Sequence, residues 1–204
     1  MRWSVTEEPT IEPLTVGEVM TRLRYEPSDT DHIQTVTDLI RSARKWAEQH
    51  MEMAIMDQEI TVHLDGFPSG RSYRYTKGTP DSRILLPIAG LTAITEITYD
   101  DQDGASQTLS TDIYAADAYS RPSAVVRKAS QSWPSTYDQA NAVQIVYRAG
   151  AETRDSVPAH IKQALHLLIA HWDENRAAAS AGVTVSRVPL AVESLLGQSR
   201  VLGV

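Results

Sequence analysis

The hydrophobic repeat changes period twice along this chain, and that change limits the folds open to it. Ile33, Val36, Leu39, Ile40, Ala43, Trp46 and Ala47 recur at helical spacing, one apolar stripe over about four turns. Further on, Glu59-Ile60-Thr61-Val62-His63-Leu64-Asp65 and Glu96-Ile97-Thr98-Tyr99 alternate polar and apolar, the period of a strand with one buried face. After Pro158 the helical period returns in Ile161, Ala164, Leu165, Leu168, Ile169 and Trp172. Helical and strand segments that come in separate blocks read as an α+β chain. The expected architecture is a helical bundle, made of two N-terminal helices and one long C-terminal helix, with a small antiparallel β domain inserted and a C-terminal arm.

Local signals mark the elements. In Leu14-Thr15-Val16-Gly17-Glu18, Thr15 is an N-cap candidate and Glu18 stands three residues on, the capping-box spacing. Val16, Val19, Met20 and Leu23 then follow a helical stripe. Pro27 disfavours helix at Glu26, and Ser28, Asp29, Thr30 and Asp31 offer N-caps for the next helix. Arg83-Ile84-Leu85-Leu86-Pro87, Ala124-Val125-Val126 and Val143-Gln144-Ile145-Val146-Tyr147 are short β-branched runs between turn clusters. Asp103-Gly104 suits a tight hairpin between Ile97-Thr98-Tyr99 and Gln107-Thr108-Leu109. Pro158 fits the first turn of a helix, where its missing N–H costs nothing. Expected boundaries are 1–56 for the N-terminal helices, 57–150 for the β insert, 151–182 for the C-terminal helix and 183–204 for a short helix and docking tail. Val36, Leu39, Ile40, Trp46, Leu165, Leu168 and Trp172 are the expected bundle core.

Composition excludes several classes. With 42% apolar and 22% charged residues, the chain has ordinary globular usage. It has no cysteine, which removes disulfide frameworks, thiolate zinc sites and thiol nucleophiles together. Its longest apolar run, interrupted by His166 between Ala164 and Ala170, is far below the ~20 residues a bilayer span needs. Met1 to Glu8 lacks an apolar signal core, so a soluble intracellular protein without membrane contact is expected. The net charge is −7, and no long stretch is basic. The footprint of a protein that grips phosphate backbones is missing, and Arg71/Arg74 and Arg127/Lys128 read as solvated pairs.

No set of residues in the sequence assembles a catalytic or metal centre, and none implies a cofactor. His160, His166 and His171 share a helix, but their spacings put no two imidazoles on one face. Gly66-Phe67-Pro68-Ser69-Gly70 has its serine in the wrong place for a nucleophile elbow, which leaves a hydrolase built on Ser69 and His63 remote. Asp100, Asp101 and Asp103 lack the ordered acidic spacing of a calcium loop and read as a solvated hairpin. Trp133-Pro134 with Tyr137 offers two readings, packing within the β insert or a monomeric glycan- or peptide-binding module.

Taken in order, these segments resemble the phage head–tail connector (adaptor) proteins. Leu14 to Arg24 and Asp31 to Glu48 are similar to their opening helices. Leu64-Asp65-Gly66-Phe67-Pro68, Ile84-Leu85-Leu86-Pro87 and Ile94 to Gly104 look like the β insert of the phiE125 gp8-like branch of that family. Ser132-Trp133-Pro134, Asn141-Ala142-Val143 and Tyr147-Arg148-Ala149-Gly150 continue it. Pro158 to Arg176, centred on Trp172, and Pro189 to Leu196 complete the resemblance. The resemblance implies a structural protein and no enzyme: a homomeric ring, commonly dodecameric, between portal and tail. Its partners would be other copies of itself, the portal protein and a tail-completion or stopper protein. DNA would pass through the channel without specific binding, and the site would be the virion neck, after synthesis in the host bacterial cytoplasm. An acidic lumen would let DNA slide where a basic one would trap it.

Past the last long helix the chain still carries many apolar side chains that something must cover. Either Leu190 to Leu196 fold back on the bundle, or part of residues 183–204 is an arm that docks on the portal or a neighbouring subunit. The docking reading assigns partner contacts to Arg187, Leu190, Val192, Leu195, Leu196, Arg200, Val201 and Leu202. It also predicts that deleting residues 189–204 leaves the thermal stability of the monomer unchanged.

Overall fold

The computed structural model describes residues 1–26, 29–68, 82–180 and 188–201. The fold is α+β, and the chain forms two compact units. One comprises Thr10–Met56 and Ala151–Arg200 and is helical; the other comprises Met1–Pro9 and Asp57–Gly150, joined by Val201, and is built of strands.

In the helical unit, α1 spans Val16–Leu23. Its N-cap is Thr15, whose hydroxyl oxygen accepts the Glu18 N–H at 3.2 Å and donates to Glu18 Oε2 at 2.8 Å. The Ser/Thr-x-x-Glu spacing is thus used, with the glutamate taking the hydroxyl proton. Helix α2, Thr30–Met51, is capped by Asp29, which accepts the Asp31 N–H at 3.1 Å, and it ends at Glu52 in the left-handed region, φ 55°. Helix α3 spans Ala159–Ser180, with Pro158 offering its carbonyl to the N–H groups of Ile161 and Lys162. Helix α4 spans Leu190–Gly197 and packs on α2 and α3. Of the expected core, Val36, Ile40, Leu165 and Leu168 are buried, while Leu39, Trp46 and Trp172 are half-buried against the same cluster. Ile33, at the start of the α2 stripe, is 39% exposed.

Among the described residues, the β unit holds two antiparallel sheets. β1 (Arg2–Glu7), β2 (Gln58–Leu64), β4 (Leu91–Asp100), β5 (Ser106–Thr108) and β8 (Val143–Ala149) form the larger, in the order β1-β2-β8-β4-β5. β3 (Arg83–Leu85), β6 (Tyr114–Asp117) and β7 (Ala124–Arg127) form the smaller, in the order β3-β7-β6. Register puts Val62, Ile145 and Ile97 side by side, and Ile60 beside Tyr147; all five are fully buried. Two regions depart from the expectations. Residues 2–7 are a strand rather than part of a helical stretch, because their pairing with β2 supplies the backbone partners that an exposed hexapeptide lacks alone. The β4–β5 connection is a five-residue loop rather than a two-residue turn: Asp100 pairs with Ser106, and Asp101 organises what lies between.

Candidate functional site

The polar side chains that the two units bury or half-bury are structural ties. In the helical unit, Arg44 lies on the apolar side of α2 and is 1% exposed. Its Nε donates to Glu12 Oε2 and its Nη1 to Glu48 Oε2, both at 2.8 Å. Glu48 Oε1 accepts the backbone N–H of Ile55 at 2.9 Å, tying the end of α2 to the segment that follows. Burial pushes the Glu48 carboxyl above the ordinary range, and the Arg44 guanidinium pulls the other way. In the β unit, Arg148 donates from Nη2 to Asp57 at 2.6 Å and from Nη1 to Glu7 at 2.8 Å. Tyr147, beside it on β8, faces inward, where its hydroxyl donates to the Ile88 carbonyl at 3.1 Å and accepts the Ile88 N–H at 3.3 Å. Burial pushes its phenol upward.

The histidines on α3 are separate from one another. His160 Nε2 is 2.8 Å from Ser199 Oγ, His166 Nε2 is 3.5 Å from Glu18, and His171 Nδ1 is 3.2 Å from Asn175. Burial, with Arg22 nearby, holds the His166 imidazole below its usual pKa. Among the described residues, no group of three His, Asp or Glu side chains is placed to hold a metal ion. No helix among them is long and apolar enough to cross a membrane. His63 sits on β2 between Arg2 and Gln144; Ser69 lies outside the described residues.

The aromatic cluster of the β unit is largely self-contained. The Trp133 ring stacks on Phe67 at 5.0 Å between centroids, and Tyr99 meets Phe67 edge-on at 5.7 Å. Tyr137, four residues after Trp133, is 45% exposed. In place of a calcium loop, Asp101 Oδ1 accepts the N–H groups of Asp103 and Ala105 at 3.0 Å each, and Oδ2 accepts from Gln107 at 2.8 Å.

The tail residues divide. Val192 and Leu196 are fully buried in the helical core, Leu195 is half-buried against it, and Val201 is buried. Leu190 is 81% exposed and Arg200 is exposed. Arg187 and Leu202 lie outside the described residues. The assignment of Val192, Leu196 and Val201 to a partner surface is corrected by this burial, since a side chain already in a core has no face left to offer. Deleting residues 189–204 would therefore take Val192 and Leu196 out of the helical core.

The sequence pattern missed Arg44 and Tyr147. Arg44 does carry a signal, because it stands four residues from both Ile40 and Glu48, so the stripe passes over it. Tyr147 carries none beyond its place in a β-branched run.

No protein-family model matches the sequence, nor does any curated protein. The fold does have solved counterparts. A chain of the virion of the native gene transfer agent (GTA) particle superposes with a TM-score of 0.76 at 18% identity, over 100% of this chain and 97% of the other. Chains of the neck of the empty GTA particle, computed with C6 symmetry, and of the native particle, computed with C12 symmetry, give TM-scores of 0.77 and 0.74. Identity is again 18% and coverage again 100% and 97%. This chain therefore shares a complete two-unit fold with chains of particle necks.

Proposed function

We propose that this chain is a structural neck protein of a tailed phage or phage-like particle, a head–tail adaptor of the gp8-like connector type. It forms a ring under the portal, links capsid to tail and leaves a channel for DNA. The observation that carries this reading is the full-length likeness to neck chains, since a match over both units and nearly the whole of each partner leaves no part of the fold unaccounted for. The C6 and C12 symmetry applied to those necks supports repeated copies around an axis. The net charge of −7 suits a wall that DNA slides past. Above it the ring meets the portal and below it a tail-completion or stopper protein, with Leu190 and Arg200 as the exposed tail residues available for docking and Arg187 and Leu202 beside them in sequence. No chemistry is required of it, and no cofactor.

Removing the gene and imaging the particles tests this. Heads that fill with DNA but carry no tails, restored by supplying the protein in trans, are the expected result. Tailed particles of normal infectivity or transfer activity without the protein would overturn it.

A further inference from the structure

The loop between β6 and β7 carries a side chain for which the fold itself has no use. Tyr119 is 99% exposed. The loop beneath it is pinned. Asp117 Oδ1 accepts the N–H of Tyr119 at 3.2 Å and of Ser120 at 3.0 Å, and Oδ2 accepts the Ser120 hydroxyl at 2.6 Å. Arg83, on β3, donates to the same carboxylate at 2.5 Å and to Ser120 Oγ at 2.8 Å. These bonds hold the Asp117 carboxyl below its ordinary range, those from Ser120 most of all. The ring is thus displayed on a backbone with little ordering left to lose on contact. Beside it Arg121 is exposed and makes no hydrogen bond or ion pair among the described residues. Tyrosine and arginine are the types that concentrate binding energy at protein interfaces.

The same unit carries a surface of complementary chemistry. The Tyr137 N–H donates to the Asp100 carbonyl at 3.0 Å, and its ring lies 4.0 Å from where a side chain on Gly104 would begin. Asp103 and Asp138 are exposed near this half-exposed ring, and their carboxylates accept no hydrogen bond among the described residues. A cation with an aromatic on one loop matches an aromatic with two free carboxylates on the other. The two patches lie on separate loops of the unit. Ser123, at the foot of the Tyr119 loop, accepts the N–H of Leu86, whereas Tyr137 is tied to Asp100 at the end of β4. Complementary patches at two different places on one body make a heterologous contact, which repeats head to tail and closes when the rotation allows.

We propose that Tyr119 and Arg121 of one copy dock on Tyr137, Asp103 and Asp138 of the next copy of this chain, as the contact repeated around the ring. This rests on the neck-ring reading above.

The chain has no cysteine, so engineered pairs report without background. Particles carrying Tyr119→Cys with Asp138→Cys are oxidised gently and run on a non-reducing gel, with the protein's presence in the neck checked by labelling. A ladder extending past the dimer, absent from either single variant, is expected. A double variant that stays monomeric in labelled necks overturns the contact and leaves the ring reading standing. A dimer from Tyr119→Cys alone also overturns it, by putting two such loops face to face. In a second arm, Arg121→Asp lowers the yield of tailed particles at least about tenfold, the scale of a hot-spot side chain, and Asp103→Arg with Asp138→Arg restores it. Unchanged yield with Arg121→Asp overturns the proposal. Necks that never contain the protein would overturn the ring reading itself, and this contact with it.

Discussion

Two arginines in this chain each bind two carboxylates, and they do so in opposite surroundings. Arg44 has 2% of its side chain exposed and lies among helices, held by Glu12 and Glu48. Arg148 has 35% exposed and lies on the outer side of β8, held by Glu7 and Asp57. The distances are alike, but the energetics differ. Water around Arg148 screens each charge whether or not it is paired, so the pairs add little. What they do locally is specific. Register aligns Glu7, Glu59 and Arg148 across β1, β2 and β8, and the guanidinium binds Glu7, which faces Glu59 on the adjacent strand. Arg44 has given up its water, so each of its bonds must be kept or a charge is stranded. The exposed cluster is a clasp on an edge strand; the buried one is a condition of the helical unit's core.

Breaking the buried cluster should have the largest effect. Arg44→Met fills the space but leaves Glu48 without its cation and Glu12 with only the more distant Arg41, and it should cost about 3–5 kcal/mol in denaturant unfolding. The loss should depend on pH. Burial already raises the Glu48 pKa against the pull of Arg44, and without that pull it rises further. A carboxyl with a raised folded pKa binds its proton more tightly when folded, so stability falls as pH rises through that pKa. The deficit of the variant should therefore grow as pH rises above the ordinary glutamate range and shrink on acidification. A deficit that is flat with pH would mean that Glu48 is not the stranded group.

The next effect sharpens the contrast within a single strand. Tyr147 is the inward neighbour of Arg148, and Tyr147→Phe leaves the N–H and carbonyl of Ile88, a residue 7% exposed, without their side-chain partner. The expected cost is about 1–3 kcal/mol, independent of salt. Arg148→Gln, one residue away, should cost no more than about 1 kcal/mol at low salt and approach zero near 1 M, where the Debye length falls to about 3 Å. If Arg148→Gln proved as costly as Tyr147→Phe, the surface pairs would be sheltered and the comparison between the two arginines would fail.

The same contrast separates what the sequence makes legible from what it hides. α2 and α3 are readable because one buried stripe imposes a 3.6-residue period that few alternatives satisfy, β2 because one buried face imposes alternation, and β8 as a β-branched run between turns. β1 is not, because five of its six residues are exposed and only pairing with β2 makes it a strand. Arg44 reads as polar, and its burial becomes visible only once Glu12, thirty-two residues earlier in the chain, is brought against it. The tail is half legible: its apolar residues demand cover, but the pattern does not say that α4 finds it on α2 and α3. Local period reaches as far as a helix face or a strand face, while long-range pairs lie beyond it.

The smallest effect belongs to Asp101, which builds the β4–β5 loop with no help from burial. Its Oδ1 gathers the N–H groups of Asp103 and Ala105, and its Oδ2 faces the Gln107 amide. The bond from Gln107, with those from the two backbone amides, holds the carboxyl below its ordinary value. A carboxyl with a lowered folded pKa contributes stability that is present above its unfolded pKa and is lost as pH falls through the folded one. Asp101→Asn keeps one oxygen for the two backbone amides but sets a donor against Gln107, which can answer by turning its own oxygen inward. The expected change is therefore local. Hydrogen exchange at Asp103 and Ala105 should speed up a few-fold, with the global transition unmoved. In the wild type, protection at these amides, corrected for intrinsic rate, should fall only as the pH drops below the ordinary aspartate range; in Asp101→Asn it should show no such step. A step that persists in the variant would assign the loop's order to a neighbouring carboxylate, Asp100 or Asp103, in place of Asp101.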